Sequence, residues 1–304
     1  YKYFSRLSQI GIFVSIVLLF VTLLFGVSKG NASRWIMGFQ PSDFAKLVLI
    51  LYVSRVLTNK QDEIKDFKKG LVPILWPVII ICGLILPADF STAAILLIVC
   101  FTMMFIGGAK LKHLVSIVGA AFVGFLFLIL INMAFPGLLP RVDTWENRMM
   151  SYGSGNKQEN YQAEMAKRAV ANGFLFGKGP GKGHVKNDLY SAQSDFIFAS
   201  SIEEFGSIIG GIGLLILYMI LFFRAIRIMN KVESKFASHL VFGLSFMLIF
   251  QSFINMGVGV NLLPVTGQPL PLISMGGTSI LFTCVSLGII LNVSSTVYNE
   301  SIDV

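Results

Sequence analysis

The sequence predicts an all-α fold, that of a polytopic helical membrane protein. Of its 304 residues, 55% are hydrophobic and only 13% are charged, and the mean hydropathy is +0.75. A soluble domain carries roughly a quarter charged residues. Apolar runs of about 17 to 24 residues, long enough to cross a bilayer as helices, recur along the chain. We therefore expect one membrane domain over residues 1–304, with eight transmembrane spans and one long outer loop.

Hydropathy places each of the eight spans. The apolar runs cover about 7–27, 42–57, 71–86, 92–106, 114–135, 205–223, 238–258 and 279–295. Pro41 precedes the second run and suits a first helical turn, where its missing N–H would be unpaired anyway. The chain begins at Tyr1 without an initiator methionine and without a signal-peptide pattern, so we expect it to start inside a longer protein.

Lysine and arginine residues orient the spans. One set of alternate connections is rich in them: Lys2 and Arg6; Arg55, Lys60, Lys65, Lys68 and Lys69; Lys110 and Lys112; and Arg224, Arg227, Lys231 and Lys235. The opposite short connections contain only Lys29 and Arg34. Because cytoplasmic loops carry the excess of basic residues, the first set is predicted to be cytoplasmic. The polar interval at about 136–200 then lies on the outer face, as part of the same domain.

The net charge of +8 points to membrane lipids as partners and not to nucleic acid, because the basic residues cluster in short loops between apolar runs. Cys82, Cys100 and Cys284 all lie inside apolar runs and read as buried free thiols. The three histidines are scattered along the chain. The sequence therefore indicates neither a disulfide framework nor a metal site.

The outer polar interval contains two further patterns. A helix is predicted over about 160–171, with Tyr161, Met165 and Ala169 spaced for one face. The glycine-rich segment 177–183 follows, and it is not a P-loop because no Gly-Lys-Ser/Thr stands at the required spacing. It is either a flexible turn or a loop whose backbone approaches a phosphate.

Asp195 stands where the polar interval meets the next apolar run, within the stretch 190–206. A carboxylate at such a boundary is costly unless it is paired or solvated, which makes it a functional candidate. Other charged residues are also predicted at the outer ends of spans: Arg34, Asp43, Lys46, Asp89, Glu203 and Glu204. They form either a shared outward-facing polar cavity or separate ion pairs and helix caps. Asp43 and Lys46 lie three residues apart and can pair, and the two glutamates suit a first helical turn.

The last outer loop, 261–279, is uncharged and contains three prolines. Such a loop at membrane depth needs its backbone buried in protein or facing a cavity. We expect a re-entrant or lipid-contacting element there.

Several motifs together resemble one family. They are Ser33-Arg34-Trp35-Ile36, Gln40-Pro41-Ser42-Asp43-Phe44-Ala45-Lys46, Asp89-Phe90-Ser91-Thr92-Ala93, Ser194-Asp195-Phe196-Ile197-Phe198-Ala199 with Glu203-Glu204, and the last outer loop from Leu263 to Ser279. In this order they resemble the SEDS family (shape, elongation, division and sporulation proteins) over essentially the whole chain. Pro-Val-Thr-Gly and Gly-Gly-Thr-Ser are more similar to its cell-division members than to its elongation members.

The chain departs from the family's pattern in places. The family usually has ten spans, so the first two are expected to be missing here. Asp43 stands where the family commonly has Glu, and Ala88 and Ser91 replace a proline and a glycine around Asp89. Gln193 and Ser194 stand where the family often has a histidine before the aspartate.

The resemblance implies a peptidoglycan glycosyltransferase that polymerises lipid II into β-1,4-linked glycan at the outer face of the bacterial cytoplasmic (inner) membrane, at the division septum. It implies that Asp195 is the catalytic aspartate. The residues implied to bind substrate are Arg34, Asp43, Lys46, Asp89, Gln193 and Glu203. The resemblance implies no particular cofactor: the positive charge that the leaving pyrophosphate needs comes either from Arg34, Lys46 or a loop lysine or from a divalent cation such as Mg²⁺. The implied partners are lipid II, a class B penicillin-binding transpeptidase and other membrane proteins of the divisome.

Two alternatives stay open beside this function. A lipid II flippase predicts a midplane site and interrupted helices in symmetric halves, whereas the sequence shows no internal repeat and places its charges at one face. A division scaffold that recruits a partner is compatible with either activity.

Overall fold

Helices cover all eight predicted apolar runs. The computed structural model describes residues 3–29, 32–36, 38–134, 157–185 and 192–300. Its helices are α1 (Phe4–Phe25), α2 (Pro41–Asn59), α3 (Val72–Ile85), α4 (Phe90–Ile106), α5 (Leu111–Ala134), α6 (Lys157–Gly173), α7 (Ile197–Gly206), α8 (Leu214–Lys231), α9 (Lys235–Gly259) and α10 (Gly277–Glu300). Two π-helical segments, Phe67–Leu71 and Ser207–Gly213, lead into α3 and join α7 to α8. The predicted helical membrane fold is confirmed.

Five described helical segments are long and apolar enough to cross a membrane: Phe4–Phe25, Phe67–Ile85, Ile197–Lys231, Lys235–Gly259 and Gly277–Tyr298. Two shorter apolar helices are Phe90–Ile106 and Leu111–Gly124. Helix α2 is more polar because it carries Asp43, Lys46 and Arg55. The chain is thus an integral membrane protein by the length and composition of its helices.

The fold divides into two compact units. The first contains Tyr1–Lys110, Ile216–Ser252 and Pro271–Val304, and the second contains Leu111–Leu215 and Phe253–Leu270. The expectation of a single domain over the whole chain stays a prediction. Two parts of the predicted outer loop, residues 135–156 between α5 and α6 and residues 186–191, lie outside the described part of the chain.

Helix α2 is the centre of the first unit. It packs against α1, α3, α4 and α10. Four consecutive residues, Val48, Leu49, Ile50 and Leu51, are each no more than 5% exposed, so every side of the helix is covered. Because α2 is buried on every side, the charged residue of its first turn, Asp43, is also held inside the protein, with 4% of its surface exposed.

A short hairpin connects α1 to α2, where the sequence predicted only a connection. Strand β1 (Val27–Lys29) pairs antiparallel with β2 (Ala32–Trp35), with Val27 opposite Trp35. An isolated bridge between Ile36 and Phe39 follows, and Gly38 between them has a positive φ of 80°. Arg34 lies within β2, so the hairpin fixes where this side chain leaves the backbone.

The second unit has its own core between α6 and the start of α7. Met165 and Ala169 of α6 pack with Phe196, Ala199 and Val258. The predicted helix is present, but the predicted face is wrong at one position, because Tyr161 is 48% exposed. Ala166 is buried in its place.

The predicted start of the span at residue 205 is also wrong. The helix begins at Ile197, passes through the π-helical segment and continues to Lys231. Ser200, Ser201, Glu203 and Glu204 made this first part too polar to be recognised by hydropathy. Insertions of π-helical geometry are frequent next to functional sites.

Candidate functional site

Asp195 lies in the turn that leads into α7. The turn spans 192–196, and α7 begins two residues after the aspartate. Phe196, the next residue, is fully buried in the core of the second unit, and Ala192 at the other end of the turn is buried as well. Asp195 itself is only partly buried. The turn therefore anchors its two apolar residues inside the protein and leaves the aspartate between them accessible.

Asn255 of α9 holds this turn from the other side. Its side-chain nitrogen donates to the backbone carbonyl of Asp195 at 2.9 Å and to that of Gln268 at 2.7 Å. Asn255 is 1% exposed and Gln268 is 3% exposed. One buried amide thus ties the aspartate turn to the last outer loop. Its own oxygen, Oδ1, is buried without a hydrogen-bond partner among the described residues.

Gln193 lies two residues before Asp195 in the same turn, and its side chain is exposed. Ser194 between them is partly buried. Gln193 and Ser194, which stand where the family often has a histidine, are therefore both at least partly exposed to solvent. A role for Gln193 in binding substrate stays a prediction.

Glu203 organises the glycine-rich loop that follows α6. Its side chain is fully buried, and its Oε1 accepts from the backbone N–H groups of His184 at 3.2 Å and Val185 at 3.3 Å. Asn172 donates to the same oxygen at 3.4 Å, and the Lys178 ammonium lies 3.5 Å from it. A carboxylate with this many donors is held in one orientation.

The neighbouring Glu204 holds the same loop at its tip. Its carboxylate accepts from the backbone N–H of Gly181 at 3.0 Å, and its backbone carbonyl accepts from Gly179 at 2.9 Å. Gly177, Gly179 and Gly181 all have positive φ angles between 76° and 99°, which favour glycine. Hydrogen bonds to Glu203 and Glu204 thus hold this loop against α7, whereas composition alone was compatible with a flexible turn.

The expectation that Glu203 and Glu204 form a first helical turn is wrong. Helix α7 begins at Ile197 and has no acidic residue in its first turn. The two glutamates lie in its second turn, where their acceptor atoms meet the loop from α6. Electrostatic stabilisation by the helix N-terminus falls off within the first turn, so their loop contacts take its place.

Asp43 and Lys46 form the predicted ion pair in the first turns of α2. Lys46 Nζ lies 2.7 Å from Asp43 Oδ1, and the side chains are 12% and 4% exposed. Thr278 of α10 donates to the second carboxylate oxygen at 3.2 Å. The carboxylate is therefore satisfied by one cation on its own helix and one hydroxyl from 235 residues further along the chain.

A small polar cavity adjoins this pair within the first unit. Asp43, Lys46, Gln251, Thr283 and Ser286 contribute to its lining, and its volume is about 40 Å³. A space of this size accommodates water. The pair thus has a polar surrounding inside an otherwise apolar bundle.

Arg34 and Asp89 form a second ion pair in the first unit. The Arg34 guanidinium lies 3.2 Å from Asp89 Oδ2, and its Nε donates to the carbonyl of Ala88 at 2.9 Å. Asp89 also caps α4 by accepting from the backbone N–H of Thr92 at 3.0 Å. The arginine bridges β2 to the α3–α4 connection, a contact that the sequence did not predict.

The predicted site residues fall in both units. The first contains the pairs Arg34–Asp89 and Asp43–Lys46, and the second contains Gln193, Asp195 and Glu203. A cavity shared by all of them stays a prediction. Sequence reasoning missed Asn255 and Thr278. The signal available for Asn255 was its amide inside an apolar span, since polar residues within membrane helices are commonly functional.

No group of three or more histidine, cysteine, aspartate or glutamate side chains is placed to hold a metal ion among the described residues. The carboxylates of Asp43, Asp89, Glu203 and Glu204 are engaged with cations or backbone donors. A divalent cation as a source of positive charge for the reaction stays a prediction.

A sequence model of the FtsW, RodA and SpoVE family, described as "Cell cycle protein", matches residues 1–299. The chain belongs to this family. The SEDS resemblance of its motifs is thereby confirmed. Of the motifs that carry the resemblance, that around Asp195 lies in the turn before α7, that around Asp43 lies in the first turns of α2, and another forms the last outer loop.

Curated SEDS relatives cover nearly all of the chain. It is 34% identical to stage V sporulation protein E of Bacillus subtilis, over 97% of this chain and 80% of that protein. It is 35% identical to a probable peptidoglycan glycosyltransferase FtsW of the same organism, over 95% of this chain and 73% of the relative. The corresponding protein of a Geobacter species is 32% identical, with 94% and 77% covered.

Solved structures share the fold. A chain from a structure described as "Structural coordination of polymerization and crosslinking by a peptidoglycan synthase complex" is 26% identical, with a TM-score of 0.76 and coverage of 98% of this chain and 83% of that one. The rod shape determining protein RodA of Thermus thermophilus is 25% identical, with a TM-score of 0.65 and coverage of 95% and 78%.

Proposed function

We propose that this SEDS protein is a peptidoglycan glycosyltransferase that polymerises lipid II into β-1,4-linked glycan at the outer face of the cytoplasmic membrane. The observation that carries the proposal is the aspartate turn. Asp195 is accessible while Phe196 is fully buried beside it and Asn255 fixes its carbonyl. Curated relatives at 32–35% identity are named probable peptidoglycan glycosyltransferases.

Asp195 acts as the general base. A hydroxyl of the acceptor sugar attacks the anomeric carbon of the donor and must lose its proton as the new glycosidic bond forms. A carboxylate within hydrogen-bond reach takes that proton. The bond to the undecaprenyl pyrophosphate breaks on the opposite face, which inverts the anomeric centre and requires no covalent enzyme intermediate.

The leaving pyrophosphate gains negative charge in the transition state, and preorganised cations lower the cost of that charge. Candidates in the second unit are Lys178 and Lys182 of the glycine-rich loop, with Lys182 exposed and Lys178 tied to Glu203. Arg34 and Lys46 are the candidates in the first unit. No step of this mechanism is assigned to a metal ion.

The relatives support a proposal for the place and partners of the reaction. A structure of a relative described as a peptidoglycan synthase complex of polymerization and crosslinking supports a transpeptidase partner, which we assign to the class B penicillin-binding proteins. Relatives named FtsW support a role in septal wall synthesis at the inner membrane, together with other divisome proteins.

The test compares Asp195→Asn with the unaltered protein, each purified with its transpeptidase partner and given lipid II. The substitution keeps the size and removes the base, so glycan polymerisation falls by at least about 100-fold, the usual contribution of general base catalysis. Glu164→Gln, at an exposed carboxylate on α6 of the same unit, retains full activity. Equal glycan yields from Asp195→Asn and the unaltered protein would remove Asp195 from the mechanism.

A flux assay separates this function from transport. Labelled lipid II is placed on one side of liposomes that contain the protein and no other polymerase. The polymerase assignment predicts glycan that accumulates without net transfer of lipid II between leaflets. Transfer of lipid II without polymer would support the flippase instead.

A further inference from the structure

A groove of about 880 Å³ lies between α8 and α10 in the first unit, and none of the predicted site residues lines it. Leu217 and Leu221 of α8 line one wall, and Ile290 and Leu291 of α10 line the other. Leu217 and Leu291 are 62% and 67% exposed. The groove is therefore an open apolar channel and not a packed helix interface.

The α8 wall is a single helical face that changes from apolar to basic along its length. On α8 the lining residues Leu217, Leu221, Arg224, Ile228 and Lys231 recur every three to four positions, which places them on one side of the helix. The apolar part from Leu217 to Arg224 is about 10 Å long at the helical rise. The hydrocarbon of one bilayer leaflet is about 15 Å thick.

The end of the groove beside the C-terminal part of α8 is basic. Arg224, Arg227 and Lys231 line it and are exposed, and Glu233 contributes one opposing charge, which leaves a net charge of two positive. Within the described part of the chain, none of the three basic side chains forms an ion pair. The positive charge is thus available to a ligand.

The basic end lies on the cytoplasmic side by the lysine and arginine distribution. Helices α8 and α10 are separated by α9 alone among the spans, so their C-terminal ends share that side. The apolar walls then lie in the inner leaflet. Substrate chemistry at Asp195 is predicted at the outer face, so the groove serves a different ligand.

We propose that this groove binds an anionic phospholipid of the cytoplasmic leaflet, with its phosphate at Arg224, Arg227 and Lys231 and its acyl chains along the apolar walls. Charge complementarity selects this occupant. Basic pockets between membrane helices on the cytoplasmic side bind anionic head groups. A soluble phosphate would leave the apolar walls exposed, and a zwitterionic lipid would leave the three cations without a counter-charge.

Native mass spectrometry of the purified full-length protein with phosphatidylglycerol or phosphatidylethanolamine tests the proposal. Each basic residue near an anionic head group strengthens binding by roughly fivefold. The triple variant Arg224→Gln, Arg227→Gln, Lys231→Gln therefore loses at least about tenfold in retained phosphatidylglycerol. The control Lys65→Gln, Lys68→Gln, Lys112→Gln removes three cytoplasmic charges outside the groove and retains the lipid.

A second pair of variants tests the walls without changing charge. Ser294 lines the groove and is half-buried, whereas Ser295 beside it is exposed and does not line it. Ser294→Phe places a ring inside the groove and lowers the retention of phosphatidylglycerol, and Ser295→Phe does not.

Three results would overturn the proposal: equal retention of both phospholipids, equal effects of the two charge triples, or equal effects of the two phenylalanine variants. Undecaprenyl phosphate is tested in the same assay as a third lipid. Its preferential retention over phosphatidylglycerol would also overturn the proposal, because it would assign the groove to a polyprenyl lipid.

Discussion

At the residue scale, one buried amide holds the aspartate turn to the last outer loop. Replacing Asn255 with alanine removes its donors from the carbonyls of Asp195 and Gln268. The free energy of unfolding falls by about 1–3 kcal/mol, the usual cost of breaking buried hydrogen bonds. Polymerisation falls as well, because the turn that carries Asp195 loses its anchor.

Thermal unfolding in detergent and a glycan polymerisation assay measure both effects of Asn255→Ala. The matched control is Ser245→Ala in the same helix, where the hydroxyl is buried and bonds to the carbonyl of Phe242. The control retains activity. Unchanged activity in Asn255→Ala would show that the anchor does not position the aspartate.

Removing the cation of the Asp43–Lys46 pair is expected to destabilise the protein strongly. Removing the anion as well is expected to restore part of the lost stability. Lys46→Met leaves the carboxylate of Asp43, which is 4% exposed, without its cation. Breaking a buried ion pair on one side costs about 3–5 kcal/mol. The double variant Asp43→Asn, Lys46→Met removes the stranded charge and is more stable than Lys46→Met alone. Chemical denaturation of the three proteins measures the difference, and equal stabilities of single and double variants would contradict it.

At the scale of elements, glycines set how closely α7 approaches the π-helical segment after it. A Cβ at Gly210 would overlap the carbonyl of Ser201, whereas a Cβ at Gly211 would lie 3.6 Å from the Ile202 side chain in ordinary contact. Gly210→Ala is therefore expected to lower the unfolding temperature markedly, and Gly211→Ala to leave it nearly unchanged. Differential scanning fluorimetry of the two adjacent variants checks this. Equal unfolding temperatures would mean that the segment relaxes around the new methyl group.

The connection between α2 and α3 carries a pH-dependent cap. Asp66 Oδ1 accepts from the backbone N–H of Lys68 at 2.9 Å and of Lys69 at 3.4 Å. The N–H groups of Lys69 and Lys68 lower the pKa of Asp66 below its usual value. Because the folded pKa is the lower one, the stabilisation is present above the unfolded pKa of about 4 and is lost as the pH falls through the folded pKa.

Asp66→Asn keeps a carbonyl acceptor for these N–H groups and is expected to remove the pH dependence that the cap contributes. Unfolding temperatures of the two proteins between neutral pH and pH 3 measure the difference, with Asp62→Asn in the same connection as the control. Parallel curves for Asp66→Asn and the unaltered protein would show that the cap does not stabilise this segment.

At the scale of the whole molecule, the topology predicts opposite labelling of two loops. In a background with its three cysteines replaced, Lys182→Cys in the glycine-rich loop reacts with a membrane-impermeant maleimide in intact spheroplasts. Lys65→Cys in the α2–α3 connection reacts only after permeabilisation, because that connection is predicted to be cytoplasmic. Both lysines are exposed, so accessibility within the fold does not limit the reaction. Labelling of both from outside would invert or reject the orientation.

Much of the architecture could be predicted, because hydropathy and charge are local properties of the chain. The eight apolar runs became helices, and the Asp43–Lys46 pair formed as its three-residue spacing predicted. Hydropathy did not predict the start of the helix where its residues are polar, as in the first turns of α7. Local composition also failed for the glycine-rich loop, whose shape depends on Glu203 and Glu204 of another element.

The sequence by itself determined that the chain is a helical membrane protein, and its motifs identified Asp195 as the residue to test. Only the tertiary structure decided which groups hold these residues. Arg34 bonds 54 residues ahead, Asn255 bonds 60 residues back and Thr278 bonds 235 residues back. Such pairings follow from how helices pack and not from periodicity, because a hydrogen bond requires two groups within about 3 Å of each other.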